Sequence, residues 1–245
     1  MKNLGLTFLF VASMATTASA QFGIEGGLNL ANMAIKSVGN KVPTQFKTGG
    51  AFGLTTNIAF SDHVYLEPGL FFDMNGCTIT GPPKTYYTIY SVTIPLNIEY
   101  KSGEKCSSWF IAGIGPYIAR NIGGDYYGDD VLGIPIDNIS LKFGSSKTDN
   151  FKALDLGFGV NMGYIIKKHL FFRFHYQMGL VNLLPNGDND NSVKTSALGV
   201  TIGCLFGGCR SRSGGNPFNV RGGNHWRGLS EGRYSRRPHP ARYPQ

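Results

Sequence analysis

The sequence predicts an all-β chain: eight antiparallel strands closed up-and-down into a transmembrane barrel. Three observations carry that prediction. Apolar side chains recur at every second position through eight segments, with glycine and polar groups between them. Period two is the side-chain period of a strand, so each segment has one greasy face and one small or polar face. The connections between the segments run long, short, long, short, long, short, long, the asymmetry of a barrel with outer loops and tight periplasmic turns. Beyond the first twenty residues, no stretch supplies the ~20 continuous apolar residues of a membrane helix.

Those first twenty residues read as an export signal. Met1–Ala20 has one charge (Lys2), an apolar run over Leu4–Met14, and Ala18-Ser19-Ala20 before Gln21. Small residues at the last and third-last positions suit a signal peptidase, which puts the mature start near Gln21. Charged residues make up 16% and aromatics 13% of the chain, with 34 glycines. That balance favours a greasy exterior around a narrow interior.

The strands follow in order. Phe22–Leu30 alternates Phe22, Ile24, Leu28 and Leu30 against Gly23, Glu25, Gly27 and Asn29, and Ala31–Thr48 is an expected loop. Gly50–Phe60 and His63–Asp73 flank the turn Ser61-Asp62. Met74–Thr85, with Gly76, Gly81, Pro82 and Pro83, is the second expected loop. Tyr87–Tyr100 alternates Tyr90, Val92, Ile94, Leu96 and Ile98 against Ser91, Thr93, Asn97 and Glu99, with a bulge or bend expected at Pro95, which has no N–H for the ladder. After a turn over Lys101–Ser108 come Trp109–Ala119 and the longest expected loop, Arg120–Asn150. Phe151–Ile165, a turn, and His169–Leu180 follow, the last with Arg173, His175 and Gln177 on its polar face. Val181–Ser192 is a loop, and Lys194–Phe206 closes the ring with Leu198, Val200, Ile202, Cys204 and Phe206 on one side.

Taken in this order, the segments resemble the PorT-like outer-membrane β-barrel family of Bacteroidota. The matching pieces are Phe22-Gly-Ile-Glu-Gly-Gly-Leu-Asn, Leu66-Glu-Pro-Gly-Leu, Ile94-Pro95-Leu96, Gly113-Ile-Gly115-Pro116-Tyr117, Asp155-Leu-Gly157-Phe-Gly159 and Gly179-Leu180-Val-Asn182. The resemblance spans Gln21–Phe206 and implies an eight-stranded barrel in the cell outer membrane. It implies no single activity, and a PorT-like role in secretion attaches to no residue here. Gly207–Gln245, beyond the closing aromatic, departs from the pattern.

The net charge of +8 is that of Lys2 in the export signal and +7 in the last segment, a basic Arg/Gly/Pro-rich tail expected to be disordered and periplasmic. Arg210, Arg212, Arg221, Arg227, Arg233, Arg236, Arg237 and Arg242 face a single acid, Glu231, whereas 21–206 balances to zero. An exported basic tail has no nucleic acid to meet; an anionic periplasmic or cell-wall group is the partner it suits. Inside the barrel, Arg173 is the clear inward base. It is expected to point at Glu67 or at a neighbour, Glu25 or Glu99, with His175 nearby, forming a polar plug. Asp125, Tyr126, Tyr127, Asp129 and Asp130 form an outer-loop surface for a partner; their spacing is not that of a calcium loop.

Cys77, Cys106, Cys204 and Cys209 show no metal spacing, and no cofactor is implied. Cys77 on the outer side and Cys106 on the inner side are too far apart to bridge, whereas Cys106 and Cys209 share a side. No histidine falls in an outer loop, where a barrel enzyme would need one, so no enzyme is expected. The expected function is that of a monomer in outer-membrane lipid with a structural or interaction role through its loops and tail. A narrow pore or a small-solute or secretion-associated transport component is second, and a lipid-modifying barrel enzyme third.

Overall fold

The computed structural model describes residues 21–103, 108–131, 134–146, 148–167 and 169–207, with backbone alone over 129–131 and 134–137. The signal segment Met1–Ala20, Cys106, Cys209 and the eight tail arginines lie outside the described residues.

Eight strands form one closed antiparallel ring: β1 (Gln21–Ser37), β4 (Lys47–Ala59), β5 (Val64–Ile79), β6 (Thr85–Ser102), β7 (Trp109–Val131), β9 (Leu154–Ile166), β10 (Leu170–Gly179) and β11 (Ser192–Phe206). Each pairs with the next, and β11 returns to β1 through a continuous register from Phe22↔Phe206 to Lys36↔Ser192. Closure leaves no unpaired edge, which a sheet surrounded by lipid cannot afford. Three short strands join from the loop side: β2 (Asn40–Val42) folds back on β1, β3 (Thr44–Gln45) on β5, and β8 (Ile134–Ser140) on β7.

The alternation read from the sequence becomes an inside and an outside. Leu28, Phe72, Ile98, Ile118, Val160, Phe174 and Ile202 face outward and are exposed, making an apolar belt. Glu25, Glu67, Thr93, Glu99, Asn161, Arg173 and Thr201 face inward and are buried. Glycine on the inner face leaves room for the long polar side chains. A Cβ on Gly203 would run into Phe171 and Glu25, and one on Gly113 into Glu99 and Asn161.

The strands outrun the belt, which corrects three sequence expectations. The predicted loops Ala31–Thr48, Met74–Thr85 and Arg120–Asn150 are largely strand, because β1 continues to Ser37, β5 to Ile79 and β7 to Val131. The ladder hydrogen bonds persist past the lipid boundary, but the apolar-outward pattern does not, because there the outer face meets water. Asp125, Tyr126, Tyr127, Asp129 and Asp130 therefore sit on β7 rather than in a loop, and Cys77 sits on β5. At the other end of its loop, β9 begins at Leu154, and Phe151 makes an isolated bridge to Phe143.

At Pro95 the ladder is interrupted, with neither Pro95 nor Ile94 paired to β5, but the expected bulge is not there. The β5–β6 register has the same offset on either side of Pro95, from Pro68↔Leu96 to Phe71↔Thr93. The irregularity is at Tyr90/Ser91, where Gly123 and Asn121 are the successive β7 partners and Ile122 is the extra residue. One added residue exchanges the faces of everything beyond it. It turns Gly124 and Tyr126 inward where β7 leaves the belt.

Candidate functional site

The inner face divides into three levels, each following from which residue types the strands bring inward. At the turn end, Trp109, Ile111, Ile165, Phe171 and Leu205 pack into a buried apolar floor. Lys101 lies over Tyr65 and Trp109, with Nζ 4.5 Å and 5.8 Å from the ring centroids, and the Arg173 guanidinium lies 5.3 Å from the Phe171 ring. Cations above aromatic faces join the apolar floor to the charged level above it.

At that second level Arg173 crosses the lumen from β10. Its Nη1 donates to Glu25 Oε1 (3.0 Å) on β1 and its Nη2 to Glu67 Oε2 (2.6 Å) on β5. Nη2 also stands 3.3 Å from Glu99 Oε1 on β6. Thr201 on β11 donates to the second oxygen of Glu25 at 2.6 Å. A guanidinium suits this post because its fork of donors can serve several carboxylates at once. The cluster has a second cation, on strand and not in the expected turn over Lys101–Ser108: Lys101, buried on β6, donates to Asn57 Oδ1 (2.6 Å) and pairs with Glu99 at 3.8 Å. Its signal was in the chain, since Lys101 continues the inward parity of Asn97 and Glu99. Two cations thus face three carboxylates.

Toward the loop end, His175 Nε2 meets Asn29 Oδ1 at 3.1 Å, and Asn29 Nδ2 donates to Asp73 at 3.4 Å. Thr195 donates to Asp155 at 2.6 Å. Two small voids lie in the lumen here. One, of ≈40 Å³, lies between Arg173, Asp73, Tyr117 and His175; the other, of ≈20 Å³, lies between Ser91, Tyr117, Asp155 and Thr195. Each is sized for a few waters, not for a solute path.

Above the belt the inside turns apolar. Met33, Cys77, Ile89 and Val193 from the strands meet Leu141, Phe151 and Leu183 from the loops after β8 and β10 in a second buried cluster. Leu183 is 0% exposed. Its backbone N–H donates to Val193 O at 2.8 Å, and its carbonyl accepts from Lys152 N at 2.7 Å, so the loop is tied down on both sides. Ile35, Ile79, Tyr87, Tyr126, Phe143 and Leu184 pack against this cap while staying partly open. Tyr126 stacks on Tyr87 (centroids 5.4 Å), and Tyr127 stacks on Tyr86 (4.8 Å). The two tyrosines of the predicted surface therefore part company: Tyr126 goes to the cap interior, while Tyr127 stays exposed with Lys47 5.5 Å from its ring centroid. Asp125 accepts from Ser140 at 3.4 Å. Among the described residues no cluster of His, Cys, Asp and Glu has the form of a metal site, and Cys77 and Cys204 are free thiols.

Comparison with known proteins agrees with this architecture. Residues 12–184 match the family model described as an outer membrane protein beta-barrel domain. None of the curated proteins matches the chain. Among solved structures, the attachment invasion locus protein Ail of Yersinia pestis is 13% identical, with 77% of this chain and 99% of that one covered and a TM-score of 0.41. OprG of Pseudomonas aeruginosa is 16% identical (78% and 98% covered, TM-score 0.41). Neisserial surface protein A is 12% identical (76% and 97% covered, TM-score 0.40).

Proposed function

The chain belongs to the outer membrane protein beta-barrel domain family, and from that premise we propose that it is a sealed barrel whose working surface is its outer cap. It stands in the cell outer membrane, held by the apolar belt, and acts as a monomer in outer-membrane lipid. The observation that carries the proposal is the Arg173 cluster: one side chain bridges carboxylates from three other strands across the lumen. Breaking such a buried charge cluster to admit a solute would strand ions in low dielectric, at a cost of several kcal/mol. The apolar floor and cap close the two ends. A barrel that passes nothing works by what it presents, and the strands that outrun the belt present a rigid platform outside.

Planar bilayers test this directly. The purified barrel should give no stable single-channel steps; reproducible steps would sink the sealed reading and promote the narrow pore. The Arg-rich segment 207–245 enters the proposal as a second contact region, toward anionic periplasmic or cell-wall groups. Pull-downs from outer membranes with the full chain and with a chain ending at Phe206 would differ if it does. A PorT-like affiliation is the finer family reading. It rests on the ordered short motifs from Phe22 to Asn182 and carries a secretion-associated role only as an alternative. The lipid-modifying enzyme stays third: His175 is inside the ring and bonded to Asn29, away from the rim where lipid would arrive.

A further inference from the structure

The cap is not closed all the way to its rim. Above the buried cluster lies an open cleft of ≈360 Å³, lined by Ile35, Ile79, Tyr87, Tyr126, Leu184 and, at its edge, Lys36. Barrel mouths are common ligand sites, and this volume falls in the range of small-molecule pockets. Its walls are mainly aromatic and aliphatic, with Tyr87 stacked on Tyr126 and edge-on to Phe151 at 6.3 Å, and Ser37, Asn150 and Asn191 add polar groups. Its floor is the closed cap, so an occupant is held and not passed.

The rim adds a sign. On the β1–β2 hairpin Lys36 is the direct cross-strand partner of Lys41. Like charges placed opposite each other repel, and a bound anion would relieve them. Neither lysine enters an ion pair among the described residues. Two carboxylates of the facing loops are held by their own turns while keeping their charge: Asp188 Oδ1 accepts from the backbone of Asp190 and Asn191, and Asp149 Oδ2 from the backbone of Ser146. Asp190 stands beside Gly39 at the hairpin tip.

We propose that the mouth cleft binds a small amphiphile with an apolar tail and one anionic head, a medium-chain carboxylate being the simplest member. The tail lies along Ile79, Tyr87, Tyr126 and Leu184, and the head faces Lys36. This rests on the sealed-barrel reading and names the ligand class of its outer cap.

The probe is decanoate carrying a diazirine on its tail, applied to the full chain in phosphatidylcholine nanodiscs, with labelled peptides mapped by mass spectrometry. Label should fall on the peptides holding Ile79, Tyr87 and Leu184 and be competed by plain decanoate. Leu184→Trp, a loop change that fills the cleft, should cut mouth labelling by about tenfold, a step of ~1.4 kcal/mol. The folded-barrel gel mobility should stay unchanged. Lys36→Ala should raise the decanoate needed by about two- to fivefold, the scale of an exposed ion pair, and leave decanol unaffected. Label confined to belt residues such as Leu198 and Ile202 would mean simple partitioning into lipid and would overturn the proposal. So would decanol competing as well as decanoate, or labelling indifferent to Leu184→Trp. Two copies per disc by mass photometry, with the mouth shielded, would make the occupant a second copy and overturn it too. An unlabelled mouth on a barrel that shows no conductance would overturn this inference alone; channel steps would instead strike the sealed reading.

Discussion

Between its apolar floor and the outer edge of the belt this barrel is polar within and apolar without; above that edge, the same strands reverse. On β1 the inward series runs Glu25, Asn29, then Met33 and Ile35, while the outward series runs Ile24, Leu28, Leu30, then Asn32, Ala34 and Lys36. On β6, Glu99, Asn97, Thr93 and Ser91 give way inside to Ile89 and Tyr87. The difference teaches what decides an interior. In lipid the hydrocarbon surroundings reward an apolar outside and give no reason to exclude polar groups from the inside, provided they satisfy one another. In water, burial of apolar surface is the driving force, so the cap must hide its apolar groups within. The bulge at Ile122 helps β7 make the exchange by flipping its faces at the crossing.

The comparison can be broken most forcefully at the polar level. Arg173→Ala strands three buried carboxylates near Lys101 and should destabilise the barrel by about 3–5 kcal/mol. In urea unfolding from lipid, Arg173→Ala with Glu67→Ala should recover part of that loss, since the pair meets at 2.6 Å. Strictly additive effects would mean that the lumen is not a coupled network. Next comes the outer surface. Ile202→Arg, at mid-belt and 61% exposed to lipid, should cost about 2–4 kcal/mol. Ala34→Arg, exposed above the belt, should stay within about 0.5 kcal/mol. Equal costs at the two sites would erase the boundary.

Cys77 sharpens the cap side. It is fully buried in the apolar cluster, and burial pushes its thiol up to about 12, against the opposing pull of Lys47 and of the Met33 backbone. Cys77→Ser replaces a small hydrophobe with a hydroxyl in an apolar site and should cost about 1–3 kcal/mol. The linkage sign follows from the raised value. The folded thiol stays neutral where the unfolded one ionises, so its contribution is complete below pH ~9 and is lost as pH climbs toward 12. At pH 8 the thiolate fraction alone should slow alkylation by iodoacetamide on the order of a thousandfold against the urea-unfolded chain. Rapid labelling of the folded protein would show that the cap is open. The smallest effect sits at the hairpin tip, where Val38 has φ 51° ahead of Gly39 at 75°. A β-branched residue is strained there, and Val38→Asn should stabilise the β1–β2 hairpin by about 1 kcal/mol, read as slower proteolysis at that turn.

The period-two rule acts residue by residue, because lipid on one side and a small lumen on the other constrain each position independently of its partners. That is why the ring of eight, the inward and outward parity of Ile202, Val160 and Arg173, and the belt itself were legible in the chain. The same rule hid the cap. Where lipid ends, Met33, Ile35 and Ile89 turn inward, and a search for apolar-outward alternation reads continuing strand as loop. The position of that boundary depends on where neighbouring strands end, which no single segment encodes. The membership of the ion cluster depends on something more distant still. Glu25, Glu67, Glu99 and Arg173 lie on four strands, and whether they share one level is set by the tilt and stagger with which β11 closes on β1. Parity names the residues that face the lumen; only the closed ring, by fixing their heights, brings Lys101 to Glu99 and one guanidinium within reach of three carboxylates.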